Sequence, residues 1–130
     1  MVFIFGGFMN KYEDFFDEIC KLTQSHELKW KQINKKEHSD VIFNPNLVFR
    51  QFSAEYTKND ILYIILFIEK KYSNAEYDYE LEKYDPEILV LDEDMELKLT
   101  LTDSVIDRYS MQILSDLISE EDDKVKNLLD

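Results

Sequence analysis

Eight consecutive residues, Ile61 to Ile68 (ILYIILFI), carry no charge and place apolar side chains on both faces of any strand they form. Side chains alternate across a strand, so such a run belongs in the middle of a sheet with both faces covered. Thr57-Lys58-Asn59-Asp60 ahead of it supplies a turn, and Leu47 to Tyr56 reads as the hairpin partner. That partner mixes Phe49, Phe52 and Tyr56 with Arg50, Gln51, Ser53 and Glu55, which predicts half exposure. A second hairpin follows Pro86: Ile88 to Leu91, a turn at Asp92-Glu93-Asp94, and a return from Met95 to Leu101. In the return, Leu97, Leu99 and Leu101 alternate with Glu96, Lys98 and Thr100, which predicts an inner and a wet face. Leu28, Trp30 and Gln32 alternate with Lys29 and Lys31 as a first short strand. Residues 34–46 form a polar loop, anchored by Val41-Ile42-Phe43.

Helical spacing brackets these strands. Asn10 and Glu13 form a capping pair ahead of Tyr12, Phe15, Phe16, Ile19 and Leu22. Asp103 or Ser104 caps a last helix whose stripe is Ile106, Tyr109, Ile113, Leu114, Leu117 and Ile118. The order helix, strands, helix lacks βαβ alternation and predicts an α+β fold. The expected architecture is a curved antiparallel sheet of about five to six strands with both terminal helices packed on one face.

The length suits one domain, here residues 9–130, with an acidic C-terminal tail from about residue 119 in which Val125, Leu128 and Leu129 form one more amphipathic turn. Residues 1–8 read either as a short edge strand, Val2 to Phe5, or as a leader outside the natural protein. Gly6 and Gly7 are the only glycines, and a purine-rich ribosome-binding run placed just before Met9 encodes such a pair. Under that expectation Met9 is the natural start and the source is bacterial or a phage. The segment lacks the basic start and small-residue cleavage site of a secretory signal. No apolar run reaches membrane-spanning length, and the single Cys20 fits a reducing cytoplasm.

Charge constrains function most. Twenty-eight acids against fifteen bases give −13, with 45% apolar and 14% aromatic residues to build a core. Such a chain repels nucleic acids and anionic membranes and attracts basic proteins. In residues 72–85 (YSNAEYDYELEKYD), Tyr77, Tyr79 and Leu81 alternate with Glu76, Asp78, Glu80 and Glu82. In an extended chain these carboxylates recur about every 6.6 Å, a step comparable to that along a phosphate backbone. Tyr77 and Tyr79 add rigid anchors. The row reads as a partner-binding element or as a solvated strand, and a helical path would break it. Asp92, Glu93, Asp94 and Glu96 form a second acidic knot, without the spacing or central glycine of a calcium loop, so no metal is expected there.

Catalytic groups are sparse. His26 and His38 sit in polar loops, Cys20 reads as a packing thiol, and no phosphate loop, zinc spacing or nucleophile elbow occurs. The expectation is a non-enzymatic protein, monomer or homodimer, with no cofactor and a basic protein as partner. On the row Glu76–Glu82 and the knot Asp92–Glu96, the chain resembles the immunity proteins of bacterial toxin systems as a class. That resemblance implies an inhibitor or antitoxin covering a basic, nuclease-type toxin, or a DNA mimic aimed at a nucleic-acid-binding defence protein. The element order is also similar to that of dimeric type III secretion chaperones, which implies binding of an extended effector segment.

Overall fold

The computed structural model describes residues 2–73 and 82–129, with side chains at 11–71, 85–124 and 127–129. Helix α1 runs Val2–Gln24, followed by β1 (Lys31–Ile33), a 3₁₀ turn (Pro45–Leu47), β2 (Val48–Lys58), β3 (Ile61–Ser73), β4 (Glu82–Leu91), β5 (Leu97–Leu101) and α2 (Arg108–Leu129). The strands form one open antiparallel meander in the order β1-β2-β3-β4-β5. Register shifts at Val48/Arg50 and at Val90/Leu91 put one extra residue into β2 and one into the edge strand β5 and add to the curvature. The α+β class and the placement of both helices follow the sequence.

The central strand is covered on both sides, as its composition requires. Ile65 and Phe67 point to a face closed by Phe16 and Ile19 of α1 and Met111, Leu114 and Ile118 of α2. We call this the helix face. Trp30 closes its β1 side, standing edge-on to Phe67 at 6.5 Å and donating Nε1–H to Thr23 Oγ1 at 3.0 Å. Leu66 and Ile68 point the other way, with Leu89 and Leu91, against Ile42 and Val41 of the loop between β1 and β2. This is the loop face. The buried Gln51 amide holds the loop down, donating Nε2–H to the carbonyls of Asn34 (3.3 Å) and Glu37 (3.0 Å).

The β2–β3 turn places Asn59 and Asp60 both at positive φ, the two-residue geometry that matches sheet twist. Both residue types tolerate the left-handed region without glycine. Beyond Ile68, Glu69 and Lys70 face opposite sides, and each is neutralised where it is buried. Arg50 donates Nε–H (3.0 Å) and Nη2–H (2.6 Å) to Glu69 Oε1, which also accepts from Ser115 of α2 at 3.3 Å. Lys70 Nζ donates to Glu87 Oε1 at 2.8 Å, with the Phe43 ring 5.7 Å away.

Several local expectations are corrected. Helix α1 begins at Val2, in place of an edge strand followed by a helix from Asn10. Phe43 does not anchor the loop: it is exposed and lies over Lys70, while Val41 and Ile42 pack inward. Helix α2 is capped by Asp107 and not by Asp103 or Ser104. Thr102 holds the preceding turn, its carbonyl accepting from Val105 N (3.1 Å) and Ile106 N (3.0 Å). Asp107 then accepts from Ser110 N (2.9 Å) and Ser110 Oγ (2.7 Å), which holds its carboxyl below the usual range. With that start, Met111 and Ser115 turn inward while Tyr109 and Ile113 face out. Residues 119–129 are the last turns of α2, pinned by His26 Nδ1 to Glu121 Oε2 at 2.6 Å, and not a separate tail. Leu97 leaves the core because the register shift sets it opposite Leu91, on the loop face.

Candidate partner-binding site

Of the ten residues expected to bind a partner, Glu76, Tyr77, Asp78, Tyr79 and Glu80 lie outside the described residues. Glu82 opens β4 opposite Ser73, and Tyr72 pairs with Lys83, so both ends of the 72–85 stretch are strand and the helical alternative does not hold there. Asp92, Glu93, Asp94 and Glu96 follow the far end of the same strand. Nine residue steps along β4 separate Glu82 from Leu91, about 30 Å. The row's end and the knot therefore sit at opposite ends of the sheet.

The knot is partly self-contained. Asp92 Oδ1 accepts from Asp94 N (2.9 Å) and Glu96 N (3.0 Å), closing the β4–β5 turn. Lys98 Nζ lies 3.4 Å from Asp92 Oδ2 and 3.3 Å from Glu96 Oε2. The Glu96 N–H, then the Lys98 and Asp94 contacts, hold the Asp92 carboxyl below its ordinary range; the Glu96 carboxylate, then that of Asp92, raises Lys98. Glu93 and Asp94 point to solvent.

Sequence reasoning missed the open half of the loop face. The β1–β2 loop covers Leu66 and Ile68 but stops short of Ile64. A groove of about 700 Å³ remains there, with Ile64, Ile33 and Met95 among its lining, Lys29 and Lys31 along β1, and Glu27, Glu37, His38 and Glu55 around the rest. Glu55 pairs with Ile64 across β2–β3, and Ile64 pairs with Leu91, which brings the β4–β5 turn to this end of the sheet. Residues 55–60 and 92–98 carry six carboxylates (Glu55, Asp60, Asp92, Glu93, Asp94, Glu96) against Lys58 and Lys98. Both lysines are engaged by the chain's own acids, Lys58 by Glu18 at 3.6 Å. The alternation Glu27, Lys29, Lys31, Ile33 against Leu28 and Trp30 is the sequence signal of this wall. It does not say what the wall faces.

Other chemistry-bearing groups serve the fold. Burial, then the Asp17 charge, pushes the Cys20 thiol up to about 11, which keeps it protonated and unreactive. Burial, then the Glu18 carboxylate, raises the Tyr56 hydroxyl to about 12. Among the described residues no group of three or more His, Cys, Asp or Glu side chains is placed to hold a metal ion, and no helix is long and apolar enough to cross a membrane. Comparison with protein-family models, curated proteins and solved structures finds no match for this chain.

Proposed function

We propose that this chain is an acidic protein-binding inhibitor, an immunity protein or antitoxin that covers a basic, nuclease-type toxin or, as a DNA mimic, a nucleic-acid-binding defence protein. It works by occupancy in the cytoplasm and makes or breaks no bond. One observation supports the reading above the rest. With 28 acids and 15 bases, pairing every lysine and arginine with a carboxylate of the chain still leaves thirteen uncompensated. The half-buried Arg50 and the buried Lys70 are already spent on Glu69 and Glu87, and Lys58 and Lys98 on surface acids. Counter-charge for the surface must come from outside, and the two-sided core supplies a rigid scaffold on which to present it.

The test is a pull-down with the full chain at about 0.01 M and about 0.15 M salt, where the screening length falls from about 30 Å to about 8 Å. A basic protein retained at low salt, released as salt rises, and inhibited by the chain in its own nuclease or nucleic-acid-binding assay is the expected outcome. Retention of an unfolded apolar segment regardless of salt overturns it and favours a second reading, the dimeric secretion chaperone. That reading draws on Tyr109 and Ile113, four residues apart and exposed on the outer side of α2. A homodimer by light scattering, split by Tyr109→Glu with Ile113→Glu, is what it requires.

A further inference from the structure

Resting on the inhibitor reading, we propose that the basic partner docks in the open half of the loop face, at the end of the sheet that carries the β2–β3 and β4–β5 turns, and not on the Glu76–Glu82 row. The occupant is a loop or terminus of a basic protein that sets one aliphatic or aromatic side chain on Ile64, Met95 and Leu97 and reaches outward with lysines or arginines.

Three features of the site argue together. The sheet is closed on both sides along Ile65–Ile68, and at Ile64 its loop face opens. Beside that opening Met95 is 49% and Leu97 42% exposed, although composition alone would bury both. Leu97 is delivered there by the register shift at Val90/Leu91, which turns it from the helix face to this one. Apolar floor inside a polar rim is the arrangement in which a few desolvated contacts dominate binding energy.

The rim then selects the sign and the orientation. Glu55 on β2 and the 92–96 turn beyond β4 carry carboxylates on the two sides of Ile64, and the lysines near them are held by acids of the same chain. Lys29 and Lys31 line the β1 side, with Glu27 and Glu37 interspersed. On the β1 side two lysines offset two glutamates, so the excess carboxylates at the turn end are what draw an occupant's cations across β3. Because Lys98 satisfies Asp92 and Glu96, the carboxylates left for a partner at the turn are Glu93 and Asp94, which point outward.

The experiment maps binding on the ¹⁵N-labelled full chain by amide shifts, using a dodecapeptide alternating lysine and leucine, with a glutamate–leucine peptide as control. The expected result is shifts confined to residues 27–38, 53–64 and 92–98. Met95→Ser with Leu97→Ser, or Glu55→Lys with Asp94→Lys, weakens binding about tenfold or more, all four positions lying near or at the surface. Reversing Glu76, Asp78, Glu80 and Glu82 to lysine leaves affinity within a few-fold. Shifts centred on residues 72–85, with affinity lost only in that last reversal, overturn this site and leave the inhibitor reading standing. Equal binding of the two peptides, or binding of neither, overturns both.

Discussion

The two faces of β3 are built from the same residue types and closed in different ways. On the helix face, Ile65 and Phe67 meet side chains from two long helices and from Trp30. The pieces are rigid, so packing is continuous from Phe16 to Ile118. On the loop face, Leu66 and Ile68 meet an irregular segment tied down by Ile42, Val41 and the Gln51 amide. A loop reaches only as far as its anchors, and this one leaves Ile64 at the edge of an open groove. Helices close a surface completely; a pinned loop closes what its few apolar residues can cover. The difference between the faces is what leaves the groove at Ile64 open.

The largest test of that contrast is a matched pair of core truncations. Ile65→Ala on the helix face should cost about 4 kcal/mol, because the two helices that close that face cannot collapse into the cavity, whereas Ile68→Ala under the loop should cost about 2 kcal/mol. Urea unfolding of both variants checks it, and equal costs would mean that the loop is as rigid a lid as the helices. Next in size is the buried charge on the loop face. Lys70→Ala leaves Glu87 without its cation and should cost about 3 kcal/mol, while Lys70→Met combined with Glu87→Leu should regain most of it. Failure of the double variant to recover would show that the pair fixes the β3–β4 pairing and not only its own charge balance.

Smaller effects come from the two capping carboxylates, one at the start of the helix that closes one face and one in the turn that borders the other. Asp107→Ala should lower Tm by about 3–6 °C. Both Asp107 and Asp92 titrate below the ordinary value of about 4, so each contributes its full stability above that pH and loses it as pH falls through the lowered value. Asp107→Asn and Asp92→Asn should therefore destabilise at pH 7 and flatten the acid limb of a stability–pH curve. An unchanged acid limb would assign that limb to other carboxylates.

Element types and order were legible from the chain. The apolar run Ile61–Ile68 announced a central strand, Thr57-Lys58-Asn59-Asp60 a turn, and the alternation of Leu28, Trp30 and Gln32 with Lys29 and Lys31 a first short strand, which forms at Lys31–Ile33. The helical stripe of α2 was legible at Ile106, Leu114 and Ile118, which are buried, and misread at Tyr109 and Ile113, which face out. Two cap candidates lie within a turn of each other, and Thr102 takes the first turn for itself, so Asp107 starts the helix and Met111 replaces Tyr109 in the core. Leu97 reads as inward by alternation, and one inserted residue across from β4 reverses it. For the candidate site, the acids of the knot were legible, while the groove beside them was not. Its parts come from β1, β2, β3 and the β4–β5 turn, far apart in the chain.

Composition and periodicity by themselves determined that this chain folds as helices around an antiparallel sheet, buries β3 on both sides and carries a net charge of −13, because these depend on residue type and short-range spacing. Tertiary structure alone decided which way α2 is rolled, that Glu82 and the Asp92 turn stand at opposite ends of β4, and which half of the loop face stays open. Those outcomes depend on strand register, on competition between neighbouring caps and on how far a pinned loop extends, and each is set by partners distant in the chain.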